Sequence, residues 1–393
     1  RALGPDGFGI YTFAFTVISL LSIPIKLGLP ILVEREVAKY QEFNNIGLMK
    51  GLLKWSNQIV FTVSLFIAGI SLLVLWMYSE NISSEKYYTL LFALFLLPIL
   101  TLGNLRGAAL RGLNKIISGQ LPEMIIRPGL LVILVFLYFN FWELTSQQAI
   151  VLYIIAATIA FIIGTFLLYK NLPNSISEVK SKFETKNWVK SLIPLALLGG
   201  VQTIKSETDI FMLGFLSSSE EVGFYKVAFQ GGALLAFISA AVQTTLGPNI
   251  VKLFKSGQIS RLQNIIKKAT RTVVLLSLPA IPIIYFWGEK IIEIVFGASF
   301  VAAYPVLLVL VISQVVSFIL GFSWLIMNMT GHERNTLRLM GIGILINISG
   351  NLLLIPNYGA LGAAIASILS MFIWKYFLYR KVYEKTSINC SAF

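Results

Sequence analysis

The chain has 393 residues, of which 56% are hydrophobic and only 12% charged, and its mean hydropathy is +0.80. A water-exposed globular surface cannot be built from that mixture, so a soluble domain is excluded and an integral membrane protein is expected. The net charge of +13 does not point to nucleic acid, because the cations are scattered through short breaks between apolar runs, and a single cysteine, Cys390, excludes disulfides and cysteine-rich metal sites.

A bilayer-spanning helix needs roughly 20 apolar residues, and eleven such runs follow one another along the chain. The first five are Phe8 to Val33, Trp55 to Tyr78, Tyr88 to Leu110, Ile116 to Phe139 and Ala149 to Tyr169. After a polar stretch, Lys170 to Asn187, come Trp188 to Leu216, Val222 to Gly247, Thr272 to Trp287, Ala302 to Met329, Thr336 to Ile355 and Gly359 to Tyr379. All are too long and unbroken for barrel strands of about ten alternating residues, so the fold class is all-α and polytopic. Lys and Arg outside the runs concentrate in alternate segments, beginning with the one after the first run. The positive-inside rule puts those segments, and the C-terminus, in the cytoplasm. Arg1 then faces outward, which for a first residue that is not Met predicts one further helix before it and twelve in the intact protein.

The loops carry a repeat. GPDGFGIYTFAF (Gly4 to Phe15) resembles SEEVGFYKVAFQ (Ser219 to Gln230), pairing Gly9 and Tyr11 with Gly223 and Tyr225. Leu27, Gly28 and Pro30 correspond to Leu246, Gly247 and Pro248, and ALRGLNK around Gly112 corresponds to NMTGHER around Gly331. Three matches in order at nearly constant spacing predict two similar halves. Residues 1–169 would form an N-terminal lobe, 170–187 a cytoplasmic linker and 188–393 a C-terminal lobe.

The runs LGPDGFGIYTFAF, KLGLPILVEREVAKY, AALRGLNK and IPNYGALGAAIASILS resemble the polysaccharide-transporter branch of the multidrug/oligosaccharidyl-lipid/polysaccharide exporter superfamily. The likeness covers essentially the whole chain and is greatest to bacterial flippases for undecaprenyl-pyrophosphate-linked O-antigen or capsule repeat units. It implies two six-helix lobes around a central cavity, alternating access, and a bacterial inner-membrane location. Lipid-linked oligosaccharide and membrane lipids are the implied partners, with a glycan polymerase and a chain-length regulator possible in addition. The motifs specify the branch and leave the sugar open.

Charges at bilayer depth are candidate functional groups, since each is costly unless paired or facing a wet cavity. Lys26 lies eight residues before Glu34, about 12 Å along a helix, among Pro24, Gly28 and Pro30, which loosen the backbone. It either lines a cavity for an anionic cargo or satisfies the freed carbonyls. Arg35, between Glu34 and Glu36, is either part of a membrane-edge ion-pair cluster or, as the resemblance implies, a pyrophosphate ligand at the inner mouth. Arg127 either contacts cargo or pairs with Glu123 four residues earlier. Arg106 and Arg111 sit near a cytoplasmic turn and are expected to set topology. In TIKSETDIFMLGF, Lys205 and Asp209 share a helical face while Glu207 projects elsewhere. They form either a neutralised lock, or a pyrophosphate-binding Lys205 beside a proton- or sodium-sensing Glu207 or Asp209.

Two other functions are weighed against the flippase reading. A cation-coupled drug exporter of the same architecture would favour acidic cavity residues, whereas the deep charges here are mostly Lys and Arg. A membrane-embedded glycan polymerase or acyltransferase would need a catalytic constellation, but the only histidine, His332, falls in a short cytoplasmic turn beside Glu333 and Arg334. Without a phosphate-binding glycine loop the chain does not itself hydrolyse ATP. No enzyme activity and no cofactor are expected, apart from coupling to H⁺ or Na⁺. The basic amphipathic stretch Ile259 to Arg271 is expected to lie on the anionic inner leaflet.

Overall fold

The computed structural model describes residues 1–391, and of residues 193, 194, 197 and 198 the backbone alone. The first helices are α1 (Gly4–Lys26), α2 (Leu29–Glu42), α3 (Ile46–Met77), α4 (Ser84–Ala93), α5 (Leu96–Gly112) and α6 (Ile116–Leu121), and a π-helical turn (Pro122–Ile126) leads into α7 (Arg127–Phe139). The chain continues through α8 (Ser146–Asn171), α9 (Thr185–Leu216), α10 (Ser219–Lys255), α11 (Ile259–Ser277) and α12 (Ala280–Phe296). It ends with α13 (Tyr304–Ile319), α14 (Ser323–Met329) and α15 (Glu333–Thr386).

Among the described residues, nine helical stretches are long and apolar enough to cross a membrane. Their outward surface is apolar: on α3, Phe66 is 69% and Trp76 70% exposed. Such a face suits hydrocarbon and would be untenable in water.

Two places account for the difference in number between the nine stretches and the eleven expected runs. One is α9, which is not among the nine. The last two runs form one continuous helical stretch, α15, interrupted only at Gly359, whose φ of 52° and ψ of −131° lie outside the helical range. There Glu221 accepts a 2.6 Å bond from the Ala360 amide, so a carboxylate caps the helix that restarts after the break. The two arms of α15 fold back on each other, because a Cβ on Gly343 would meet the Trp374 ring and one on Gly350 would meet Ala366.

The first expected run also differs, ending at Lys26 instead of Val33. Leu27 (φ 42°) and Gly28 (φ 75°) are left-handed, and α2 restarts with Pro30 in its first turn, where no amide hydrogen is required. The corresponding Gly247 and Pro248 lie inside an unbroken α10. The sequence match therefore does not carry a shared backbone shape.

Two compact units are present, Phe13–Glu207 and a second made of Leu3–Thr12 with Thr208–Phe393. In the first, α5 is the hub and packs on α2, α3, α6 and α8; in the second, α10 and α13 pack on each other and on α11 and α15 respectively. Small residues allow the closest approaches, as membrane packing requires. In the second unit, the repeat-related Gly9 and Gly223 meet reciprocally. A Cβ on Gly9 would overlap the Ser219 carbonyl, and one on Gly223 would overlap that of Pro5. Gly9→Val should therefore cost about 3 kcal/mol, read as a lowered unfolding temperature of the detergent-solubilised protein, with Gly9→Ala intermediate. An unchanged transition in Gly9→Val would show that this contact is not formed in the membrane protein.

The amphipathic α11 differs from its expected place on the lipid surface. Leu262 and Ile266 are fully buried inside the second unit. Its polar edge holds the chain's end, with Gln263 exchanging hydrogen bonds with the Asn389 backbone and the Thr270 hydroxyl donating to the Cys390 carbonyl at 3.2 Å. Cys390 is itself buried, which pushes its thiol up to about 11.

Candidate functional site

In the first unit the break between α1 and α2 builds a cavity. A Cβ on Gly28 would come within 2.7 Å of the Ala196 amide nitrogen, so only glycine lets the α1–α2 corner press against α9. The space left beside this contact, about 120 Å³, is lined by Ser22, Lys26, Gly199, Gly200 and Thr203. That is room for several water molecules.

Lys26, the last residue of α1, is half-buried there. Among the described residues, no hydrogen bond or ion pair reaches its ammonium group, and the charged groups whose fields do reach it are Glu123 and Arg127. Its position at the α1 C-terminus also favours a cation through the helix dipole.

Glu123 lies in the π-helical turn that interrupts α6 and α7, a local geometry common at functional sites. It accepts a hydrogen bond from Arg127, and the Arg106 guanidinium stands 3.9 Å from its other oxygen. Arg106 donates to the Phe161 carbonyl at 2.6 Å and the Thr165 hydroxyl at 2.7 Å, with its guanidinium carbon 4.3 Å from the Phe161 ring centroid. Arg127 faces the Tyr153 ring at 5.5 Å. A side chain at Gly103 would strike Glu123, and one at Gly164 would strike Arg106. One carboxylate thus serves two arginines, and with Lys26 nearby the cluster has an excess of positive charge. Arg106, expected to mark a cytoplasmic turn, is instead buried inside the helix packing at 6% exposure.

The other predicted site residues fall in different settings. Arg35 is exposed and bonded to Glu36 at 2.8 Å and to the Ser191 hydroxyl at 3.3 Å, while Glu34 pairs with Arg111 at 2.8 Å. Arg35 is therefore ion-paired with Glu36 alone of its two acidic neighbours, and Glu34 forms a separate pair with Arg111. Lys205 is exposed on α9, and Glu207 accepts a 2.9 Å bond from Thr16.

Asp209 is buried in the second unit at the centre of a neutral network. Its Oδ2 accepts from the Tyr225 hydroxyl at 2.5 Å and from Ser367, and its Oδ1 accepts from Asn347 at 2.9 Å and Asn351 at 2.8 Å. The Asn351 amide oxygen, fully buried, has no hydrogen-bond partner among the described residues. Among the described residues the network gathers carboxylate, amide and hydroxyl oxygens without a second acid. Among the described residues no group of three or more His, Cys, Asp or Glu could hold a metal.

Sequence reasoning singled out Asp209 but missed Asn347, Asn351 and Ser367, and saw Tyr225 only as a repeat position. The spacing of Asn347 and Asn351, one helical turn apart in an apolar run, was the available signal. Asparagines in a span are costly unless bonded, but nothing local names their partner.

A family model described as polysaccharide biosynthesis protein matches residues 1–254. The chain is 30% identical over 165 residues to a probable low-salt glycan biosynthesis flippase, Agl15, of Haloferax volcanii, covering 41% of this chain and 34% of that protein. It is 27% identical over 382 residues to the probable flippase AglR of the same organism, covering 94% of this chain and 75% of AglR. The chain thus spans about a third of the length of the first relative and three quarters of the second. In fold it is similar to an inward-facing multidrug resistance MATE family transporter of the MOP superfamily, with a TM-score of 0.80, 13% identity, and coverage of 98% of this chain and 91% of that one.

Proposed function

Because the chain belongs to the polysaccharide biosynthesis protein family, we propose that it is a flippase carrying undecaprenyl-pyrophosphate-linked oligosaccharide, of the O-antigen or capsule kind, across the bacterial inner membrane by alternating access. Residues 1–169 and 188–393 act as the two lobes, joined by the 170–187 linker, and the C-terminus lies in the cytoplasm. The observation that carries the reading is the half-buried Lys26 lining a cavity, with an excess of cations around Glu123. A pyrophosphate is the anionic part of such a cargo, and cations in a partly dry cavity attract it strongly. Lys26 and Arg127 supply this potential, Lys205 extends it along α9, and Arg35 offers a fork at the rim once released from Glu36.

Asp209 is the coupling group, binding Na⁺ or H⁺ among the oxygens of Asn347, Asn351, Ser367 and Tyr225, with Glu207 a second acidic candidate. An exporter of cationic drugs on the same fold would place carboxylates where Lys26 and Arg127 stand. The experiment is uptake by vesicles containing the protein as encoded. Labelled lipid-linked oligosaccharide is expected to cross in an ion-gradient-dependent manner, and a cationic dye is not. Dye transport without oligosaccharide transport would overturn the proposal.

A further inference from the structure

The open end of the α15 hairpin holds a second cavity, of about 410 Å³, between the beginning of its first arm and the end of its second. Arg338, Arg380 and Lys381 bring three cations to it, while Leu339, Ile342 and Phe377 give it an apolar wall. Lys381 is paired with Glu384 at 2.8 Å, whereas among the described residues Arg338 and Arg380 have neither a hydrogen bond nor an ion pair. Ile342 is 42% and Phe377 50% exposed, and exposed Leu345 and Phe372 extend this apolar surface along both arms.

We propose that this cleft binds an anionic glycerophospholipid of the leaflet on the C-terminal side of the membrane. The guanidinium forks of Arg338 and Arg380 grip the phosphodiester, and the acyl chains lie along the Ile342 and Phe377 surface. Planar forks match phosphate oxygens bidentately, and basic clefts between helices at this depth are suited to acidic headgroups. With Lys381 paired to Glu384, the two remaining cations suffice for a phosphodiester, and Glu384 at the rim disfavours further negative charge. The apolar wall would have no role with a free anion. The two cavities share no lining residue, and this assignment stands whether or not the protein transports glycans.

The test uses the detergent-solubilised protein as encoded and measures binding of fluorescent phosphatidylglycerol against phosphatidylcholine. The wild-type protein is expected to prefer phosphatidylglycerol at least tenfold, and the double variant Arg338→Gln with Arg380→Gln to lose about tenfold of that preference. A control variant, Lys115→Gln, should retain it. Both arginines are exposed, so the double variant should keep its unfolding temperature in lipid-free detergent. An undiminished preference in the double variant overturns the proposal. Displacement of phosphatidylglycerol by millimolar inorganic phosphate would reassign the cleft to free anions, and displacement by equimolar undecaprenyl phosphate would reassign it to cargo. Either result also overturns the proposal.

Discussion

Replacing Lys26 with Ala is expected to reduce oligosaccharide transport ten- to a hundredfold while leaving the amount of folded protein in the membrane unchanged. Lys26 has no bonded partner among the described residues, so its removal strands no buried group. Glu123 keeps both Arg106 and Arg127. What is lost is a charge-assisted contact with the cargo, worth about 1.5–3 kcal/mol, which corresponds to that range of affinity. Lys26→Arg keeps the charge at a different reach and should retain part of the activity. The measurement is surface glycan per unit of membrane protein. A fall in protein level with unchanged transport per molecule would instead make Lys26 a support for the carbonyls at the end of α1.

Asp209→Ala is expected to have the opposite signature, a severe loss of folded protein. The substitution removes the acceptor of four donors, from Tyr225, Ser367, Asn347 and Asn351. Buried donors left without partners cost about 1–3 kcal/mol each, and low-dielectric surroundings keep that cost high. Asp209→Asn preserves the volume and one acceptor oxygen. It should recover much of the folded protein while abolishing the dependence of transport on the ion gradient. The double change Lys205→Ala with Asp209→Ala separates this account from a lysine–aspartate lock. Since four neutral donors already surround Asp209, removing Lys205 as well should not restore abundance, as measured by the membrane protein level and unfolding temperature. Restoration in the double variant would show that Lys205 is the group that Asp209 neutralises.

Membrane residence, helical class and the approximate places of the helices were legible because hydrocarbon forces every backbone polar group into local hydrogen bonds, and a helix satisfies them within one segment of sequence. The Gly9 and Gly223 repeat was legible for a related reason, since small residues at matching positions mark places where helices come together. The same locality explains the Glu123–Arg127 pair, which four-residue spacing brings onto one face.

Other features depend on contacts between segments far apart in the chain. Gly28 and Gly247 are alike in sequence, yet only Gly28 is pressed against a second backbone and turns left-handed. Arg106 is buried because Phe161 and Thr165 on α8 bond to it, and Asp209 is held by α10 and both arms of α15. A carboxylate in an apolar run announces by itself that something must compensate its burial. Which donors do so is decided by helix packing, three of the four lying more than a hundred residues away, and that information is present only once the chain has folded.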